Sequence, residues 1–177
     1  MRTGSNDAKT RTGGRAEFGS VKFSTKEDIE APADLIFDAM SDFAAFERSA
    51  MRQGAEVTRV DPVADIGAGM TWSLRFPIRG KMRRAVCELE QFDPPAGLRC
   101  RIESTAFEGS LTLGLVALSR SRTRLGVQLE VKPRTLAARL LMQTARLNRA
   151  SYTRRFEGRV QKFAAELELQ QIKRRTS

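Results

Sequence analysis

Glu27 stands in a run where Val21, Phe23, Thr25, Glu27 and Ile29 alternate with Lys22, Ser24, Lys26, Asp28 and Glu30. That period of two marks a half-buried strand and puts the Glu27 carboxylate on the face of Phe23 and Ile29, where an ionised group is costly unless paired. A carboxylate so placed could orient a polar ligand group or act as a general acid or base. The blander readings are a bulge beside Ala31-Pro32 that turns it outward, or an ion pair with a neighbouring arginine. Gln91, Asn148 and Tyr152 are likewise polar members of apolar stripes. Such groups fix a ligand's orientation when they converge in a cavity, or else bond to one another or to water at its rim. Trp72 suits core packing or a cavity wall. Cys87 and Cys100 read as small inner-face hydrophobes that are not directly paired across strands, and nothing in the sequence marks either as a reactive thiolate.

The chemistry that is missing narrows the field. The 177 residues include no histidine, which removes Ser-His-Asp and Cys-His nucleophile systems, histidine-ligated metal or haem, and imidazole proton shuttles. Two isolated cysteines suit a reducing cytosol and exclude a disulfide scaffold or a four-thiolate zinc site. No residue pattern calls for a metal or a cofactor. The longest apolar run, Leu111 to Leu118, is broken by Thr112 and Gly114 and is far shorter than the roughly 18 residues of a membrane span. Basic residues at the N-terminus are followed by no apolar stretch, so no secretory signal is expected there and the chain reads as a soluble, cytoplasmic protein.

The positioning elements follow from periodicity. Residues 1–19 are polar, glycine-rich and basic, and are expected to form a disordered arm. A domain over 20–169 and a basic, fraying tail over 170–177 complete the chain. After the Val21–Ile29 strand, Pro32 opens one short helix and Ser41 re-caps a second through Phe43 and Phe46. Strands then dominate. Met70, Trp72, Leu74, Phe76 and Ile78 alternate with polar residues, and an Arg79-Gly80 turn pairs Ile78 with Lys81, Leu74 with Ala85 and Trp72 with Cys87. Closing Pro94-Pro95-Ala96-Gly97 as a turn pairs Asp93 with Leu98, Gln91 with Cys100, Leu89 with Ile102 and Cys87 with Ser104. A three-residue loop, Arg120 to Arg122, sets Leu111, Leu113, Leu115 and Ala117 opposite Val131, Leu129, Val127 and Leu125. From Lys132-Pro133 to about Leu167 the period becomes helical, through Leu141, Ala145, Asn148, Tyr152, Phe156, Val160 and Phe163, and predicts one long helix. The fold class is therefore α+β, a curved seven-stranded antiparallel sheet with two short helices after its first strand and a long C-terminal helix across its apolar face.

Several strings in this order are similar to a known family. Ile29-Glu30-Ala31-Pro32, then Leu35-Ile36-Phe37-Asp38 and Ser41-Asp42-Phe43-Ala44-Ala45-Phe46, resemble the opening of the START-like (SRPBCC) superfamily in its polyketide cyclase/dehydrase branch. Gly67-Ala68-Gly69-Met70-Thr71-Trp72 looks like its glycine-led third strand, and Leu89-Glu90-Gln91-Phe92-Asp93-Pro94-Pro95 like its fourth. The resemblance spans roughly residues 20 to 168 and implies a helix-grip fold with a cavity between sheet and long helix. Members of this family bind lipids, sterols, quinones, plant hormones or polyketide intermediates, and some are catalysts. It carries over no universal catalytic residue, so none is assigned.

Charge supplies a second signal. The net charge is +10, and residues 133–177 hold eleven basic residues against three acidic ones. Arg139, Arg146, Arg149, Arg154 and Arg155 could meet anionic lipid headgroups, each basic residue contributing about 1 kcal/mol near such a surface; a merely solvated basic face is the alternative. The start of the long helix, with Leu136, Leu140, Leu141, Met142 and Leu147, could be a portal, a membrane edge or a self-association surface, or could pack beneath the short helices. Nucleic acid is disfavoured as a partner, since no helix-turn-helix, zinc finger or aromatic RNA-binding strand is present.

The expected function is binding or transfer of a hydrophobic small molecule, lipid-, quinone- or polyketide-like, without a cofactor and in contact with an anionic membrane. Glu27, Trp72, Cys87, Gln91, Cys100, Asn148 and Tyr152 are the candidate cavity groups. A cyclase/dehydratase using Glu27 and Tyr152, and a basic adaptor for protein or RNA, are the alternatives. The sequence does not give the oligomeric state.

Overall fold

The computed structural model describes residues 19–78 and 80–172, with the backbone of 173–175 continuing as helix. The expected arm over 1–19 lies outside the described residues except for Gly19, as does the end of the expected tail.

The elements run β1 (Val21–Ile29), α1 (Ala33–Met40), α2 (Phe43–Arg52), β2 (Glu56–Arg59), β3 (Thr71–Ile78), β4 (Lys81–Asp93), β5 (Gly97–Ser104), β6 (Phe107–Ser119), β7 (Arg122–Pro133), α3 (Leu136–Leu147) and α4 (Arg149–Arg175). Seven strands form one antiparallel sheet in the order β1-β7-β6-β5-β4-β3-β2. This is the helix-grip arrangement: the concave face closes on α1, α2 and α4, and the convex face carries the charges.

Local chemistry explains most boundaries. Pro32 precedes the first helical residue of α1, in extended geometry. The cap of α2 differs from expectation: Asp42, not Ser41, accepts from the Ala45 N–H at 2.9 Å. Ser41 instead closes α1, its hydroxyl donating to the Phe37 carbonyl at 2.8 Å. The carboxylate is the stronger acceptor for an exposed helix N-terminus, and the hydroxyl, one turn past Phe37, reaches a free carbonyl. The β3–β4 hairpin has the expected register, with Ile78 opposite Lys81, Leu74 opposite Ala85 and Trp72 opposite Cys87.

Two other registers differ because each loop is one residue shorter than expected and a bulge follows it. In β4–β5, Asp93 pairs with Gly97 rather than Leu98, and the ladder shifts between Leu89 and Gln91. Only glycine fits at position 97, where a Cβ would lie 2.3 Å from the Leu113 carbonyl oxygen. The extra residue at Glu90 reverses the in–out alternation beyond it. Gln91, expected on the concave face, therefore faces solvent, and Phe92 turns inward against Phe37, ring centroids 5.1 Å apart. In β6–β7 the loop is the two residues Arg120 and Ser121, between paired Ser119 and Arg122, and a register shift lies between Ala117 and Ser119. The bulge restores the alternation that a two-residue loop alone would invert, so Leu111, Leu113 and Leu115 face Leu129, Val127 and Leu125.

The single C-terminal helix is in fact two. α3 ends at Leu147, Asn148 is its C-cap, and α4 begins at Arg149. The apolar spacing runs through this break, so periodicity alone does not reveal it. α4 also continues past residue 170, where a fraying tail was expected. Gln171 is 2% exposed and its amide donates to the Leu35 carbonyl at 3.0 Å, tying the last turns of α4 to α1.

The convex face is a lattice of ion pairs. Glu90 lies 3.3 Å from Arg99 and 3.9 Å from Arg101, and Arg101 also bonds Glu103. Asp28 accepts from Arg124 and Arg122 at 2.7 and 2.8 Å. These hydrogen bonds, Arg124 first, hold its carboxyl at about 2, below the ordinary 3.8.

Candidate functional site

The concave sheet face and the helices do not fill the space between them. A cavity of about 520 Å³ remains, walled by Leu74, Cys87, Leu98, Cys100, Ile102, Leu111, Leu113, Val127 and Leu129 from the sheet, with Val57 and Trp72 beside them. Met40, Phe43, Phe46, Glu47 and Ala50 close it from α1 and α2, and Phe156, Arg159, Val160 and Phe163 from α4. The Phe46 and Phe163 rings stand 5.9 Å apart and join α2 to α4. A volume of this size falls in the range of roughly 300–1,000 Å³ common to small-molecule pockets.

Trp72 is the chain's only tryptophan and is fixed from several sides. Its indole N–H donates to Glu47 Oε1 at 2.6 Å, its ring lies 5.3 Å from that of Phe43, and the Arg59 guanidinium lies 5.5 Å from its centroid. Arg59 is itself anchored by Asp61, Nη2 to Oδ1 at 2.8 Å. Asp61 also accepts from the N–H groups of Val63 and Thr71 at 2.9 and 2.7 Å. The Arg59 hydrogen bond, followed by these backbone donors, holds the Asp61 carboxyl well below the usual carboxylate range against the opposing effect of desolvation. The outcome is an immobilised aromatic wall with one carboxylate at its polar edge.

Glu47 and Arg159 are the two charged side chains in the lining. One oxygen of Glu47 is engaged by Trp72, which leaves the other as an acceptor for a ligand donor. Arg159 offers a guanidinium for a ligand acceptor or anion. Cys87 and Cys100 are half-buried at diagonal positions on neighbouring strands. The neighbouring Cys100 holds the Cys87 thiol below its ordinary value despite burial. The proximity of Cys87, together with burial, pushes Cys100 up.

Three of the seven candidate cavity residues, Trp72, Cys87 and Cys100, are in the lining. Glu27 is half-buried on the concave side, opposite Leu125, but the cavity wall does not include it. Gln91 is turned out by the β4 bulge. Asn148 is exposed and spent on the end of α3, its N–H donating to the Thr144 carbonyl at 3.3 Å. Tyr152 is 43% exposed and also stands outside the wall. The acid that reaches the cavity is Glu47. Its signal was the spacing Phe43, Phe46, Glu47, Ala50, one face of α2; Arg159, between Phe156 and Phe163 on α4, is its counterpart.

Among the described residues, no group of three or more His, Cys, Asp or Glu could hold a metal, and no helix is long and apolar enough to cross a membrane. Residues 134–156 contain six arginines and no acid. Within that stretch α3 exposes Leu136, Leu140, Leu141 and Leu147, by 72, 60, 54 and 87%. Arg146 and Arg149 donate to the carbonyls of Gly19 and Lys22 at 2.8 and 3.4 Å, which ties the junction of α3 and α4 to the start of β1. Arg154 and Arg155 are exposed, and Arg139 is half-buried.

Comparison with known proteins agrees with this architecture. The family described as polyketide cyclase / dehydrase and lipid transport matches residues 20–168. No curated protein sequence matches the chain. Among solved structures, a Staphylococcus aureus protein of unknown function is 12% identical, with a TM-score of 0.62 over 88% of this chain and 97% of the other. The ZhuI aromatase/cyclase from a Streptomyces species is 15% identical, with a TM-score of 0.55 over 81% and 95%. A START superfamily protein from Mycobacterium smegmatis is 18% identical, with a TM-score of 0.51 over 82% and 99%. At these identities the likeness is one of fold.

Proposed function

Because the chain belongs to the polyketide cyclase / dehydrase and lipid transport family, we propose that it binds a hydrophobic small molecule between the sheet and α4 and exchanges it with an anionic membrane surface. The observation that carries this reading is the cavity of about 520 Å³, apolar except for Glu47, Arg159 and the two thiols. Burial of an apolar ligand there contributes about 25 cal/mol for each Å² removed from water. The polar pair selects a molecule with a hydrogen-bond donor for Glu47 or an acceptor for Arg159. The leucines of α3, flanked by arginines without an acid among them, have the composition of a helix that lies in an anionic interface.

Trp72 makes this testable in one experiment. A polycyclic aromatic ligand loaded into vesicles of phosphatidylglycerol or of phosphatidylcholine should quench Trp72 emission saturably, and at least about tenfold faster from the anionic vesicles at low salt. Saturable quenching at equal rates from both lipids would remove the membrane part. Emission that does not change up to the ligand's solubility would remove the cavity reading.

A second reading, a cyclase- or dehydratase-type reaction, is favoured by one observation: a carboxylate reaches the cavity. Glu47 takes the part first assigned to Glu27, with no role for Tyr152. A carbonyl substrate converted by the wild type should still bind Glu47→Gln, since the amide keeps an acceptor for Trp72, but turn over at least about 100-fold more slowly. Equal turnover by the variant would discard this mechanism.

A further inference from the structure

β3 and β4 outrun their neighbours. β2 begins at Glu56, opposite Arg75, and β5 ends at Ser104, opposite Ala85. Phe76 to Ile78 and Lys81 to Arg84 therefore pair only with each other. They leave the sheet as a two-stranded ribbon about 10 Å long, at roughly 3.4 Å per residue. A lone ribbon has little stability in water, and this one buries little, since Pro77, Ile78, Lys81, Met82, Arg83 and Arg84 are all exposed.

Its composition says what would cover it. Between Ile66 and Cys87 the chain has five basic residues and no acidic one. Arg75, at the root of the ribbon, is paired with Glu56 at 2.8 Å. Lys81, Arg83 and Arg84 have no acidic partner among the described residues, unlike the arginines of the convex lattice. Apolar and basic side chains interleave, with Ile78 opposite Lys81 and Phe76 opposite Arg83, while Pro77 and Met82 face each other. A soluble polyanion would satisfy the cations and leave Ile78 and Met82 in water. A further strand added to β3 would meet Pro77, which has no N–H to pair. An anionic bilayer takes both kinds of side chain, the cations at its phosphates and the apolar groups about 5–10 Å into the acyl boundary.

The ribbon and α3 flank one turn. Arg134, just before α3, donates its N–H to the Ala106 carbonyl at 2.8 Å and its Nη1 to the Ser104 carbonyl at 3.1 Å, where β5 leaves off. Leu74, two residues before Phe76, is already in the cavity wall. We propose that the β3–β4 ribbon is a second membrane-inserting element, which enters an anionic bilayer beside α3 and seats the near end of the cavity on the lipid. This inference rests on the membrane reading above and adds a contact that the basic helices do not supply.

Flotation of the full chain with phosphatidylglycerol vesicles at low salt reads binding, and bromine atoms on the lipid acyl chains read depth. The triple variant Lys81→Gln, Arg83→Gln, Arg84→Gln changes exposed side chains only and should bind the vesicles at least about tenfold more weakly. Met82→Trp should gain emission that the bromines quench beyond any quenching of Trp72 in the wild type. Leu140→Asp combined with Leu141→Asp tests α3 separately. Undiminished binding by the triple variant, or Met82→Trp emission quenched no more than the wild type's, would overturn the ribbon's role. Loss of binding in the α3 variant would in that case leave the membrane reading standing. A wild type that does not float with the vesicles would overturn both.

Discussion

Replacing Leu89 with alanine should lower the unfolding free energy by about 3 to 4 kcal/mol, the usual cost of emptying a fully buried leucine site. Leu89 is 0% exposed, and its backbone is locked from both sides. Its N–H donates to the Met70 carbonyl and its carbonyl accepts from the Gly69 N–H, both at 2.8 Å. The surrounding structure cannot collapse into the gap without breaking those bonds. Leu111 on the same concave face offers the contrast, since it already borders empty space and makes fewer contacts to lose. Leu111→Ala should cost about 1 to 2 kcal/mol. Urea unfolding of the two variants measures both values, and in a domain of this length the Leu89 variant should melt about 10 °C lower. Equal losses would mean that the cavity half of the face is as tightly packed as the rest.

Filling the cavity should have the opposite balance, abolishing function and sparing stability. Ala50 lies on α2 in the cavity wall, so an indole at that position enters open space instead of crowding a packed core. Ala50→Trp should weaken binding of any ligand that occupies the cavity by about 10- to 100-fold or more, since a misfit of even one methylene in a pocket costs 10-fold or more. The melting temperature should stay level or rise. Isothermal calorimetry with a ligand found by Trp72 quenching reads the first effect, and a thermal melt the second. Undiminished affinity would place the ligand outside the cavity.

The regular stretches of the fold could be read from the sequence, and its irregularities could not. Alternation through Trp72 and Leu74 settled the β3–β4 register because one inner face had to match another across a tight turn. Glu90-Gln91 defeats the same reasoning, because both residues are polar and either could be the extra one in a bulge. The bulge displaces every pair beyond it and puts Gln91 on the outer face, while the pairs nearer the turn shift because the loop has three residues rather than four. Asn148 hides the α3–α4 break for a similar reason: apolar residues three and four apart continue through it, and a helix end depends on hydrogen bonds rather than period. Glu47 was legible as part of an amphipathic face but not as the cavity's acid. That identity depends on α2 crossing above Trp72, which only the tertiary arrangement supplies.

The strand order also has a consequence in time. β2 to β7 follow one another in sequence and in space, so each can pair with its predecessor as the chain is synthesised. β1 is made first yet pairs with β7, Val21 meeting Val131. The alternating face carrying Phe23 and Ile29 must therefore remain unpartnered until the last strand has left the ribosome. Closing that long loop is the slow, entropically expensive step, and until it closes β1 is the segment most exposed to pairing with another nascent chain. Moving β1 to follow β7 in a circularly permuted chain would turn the most distant pairing into a local hairpin, and the domain should then fold faster while keeping the same cavity.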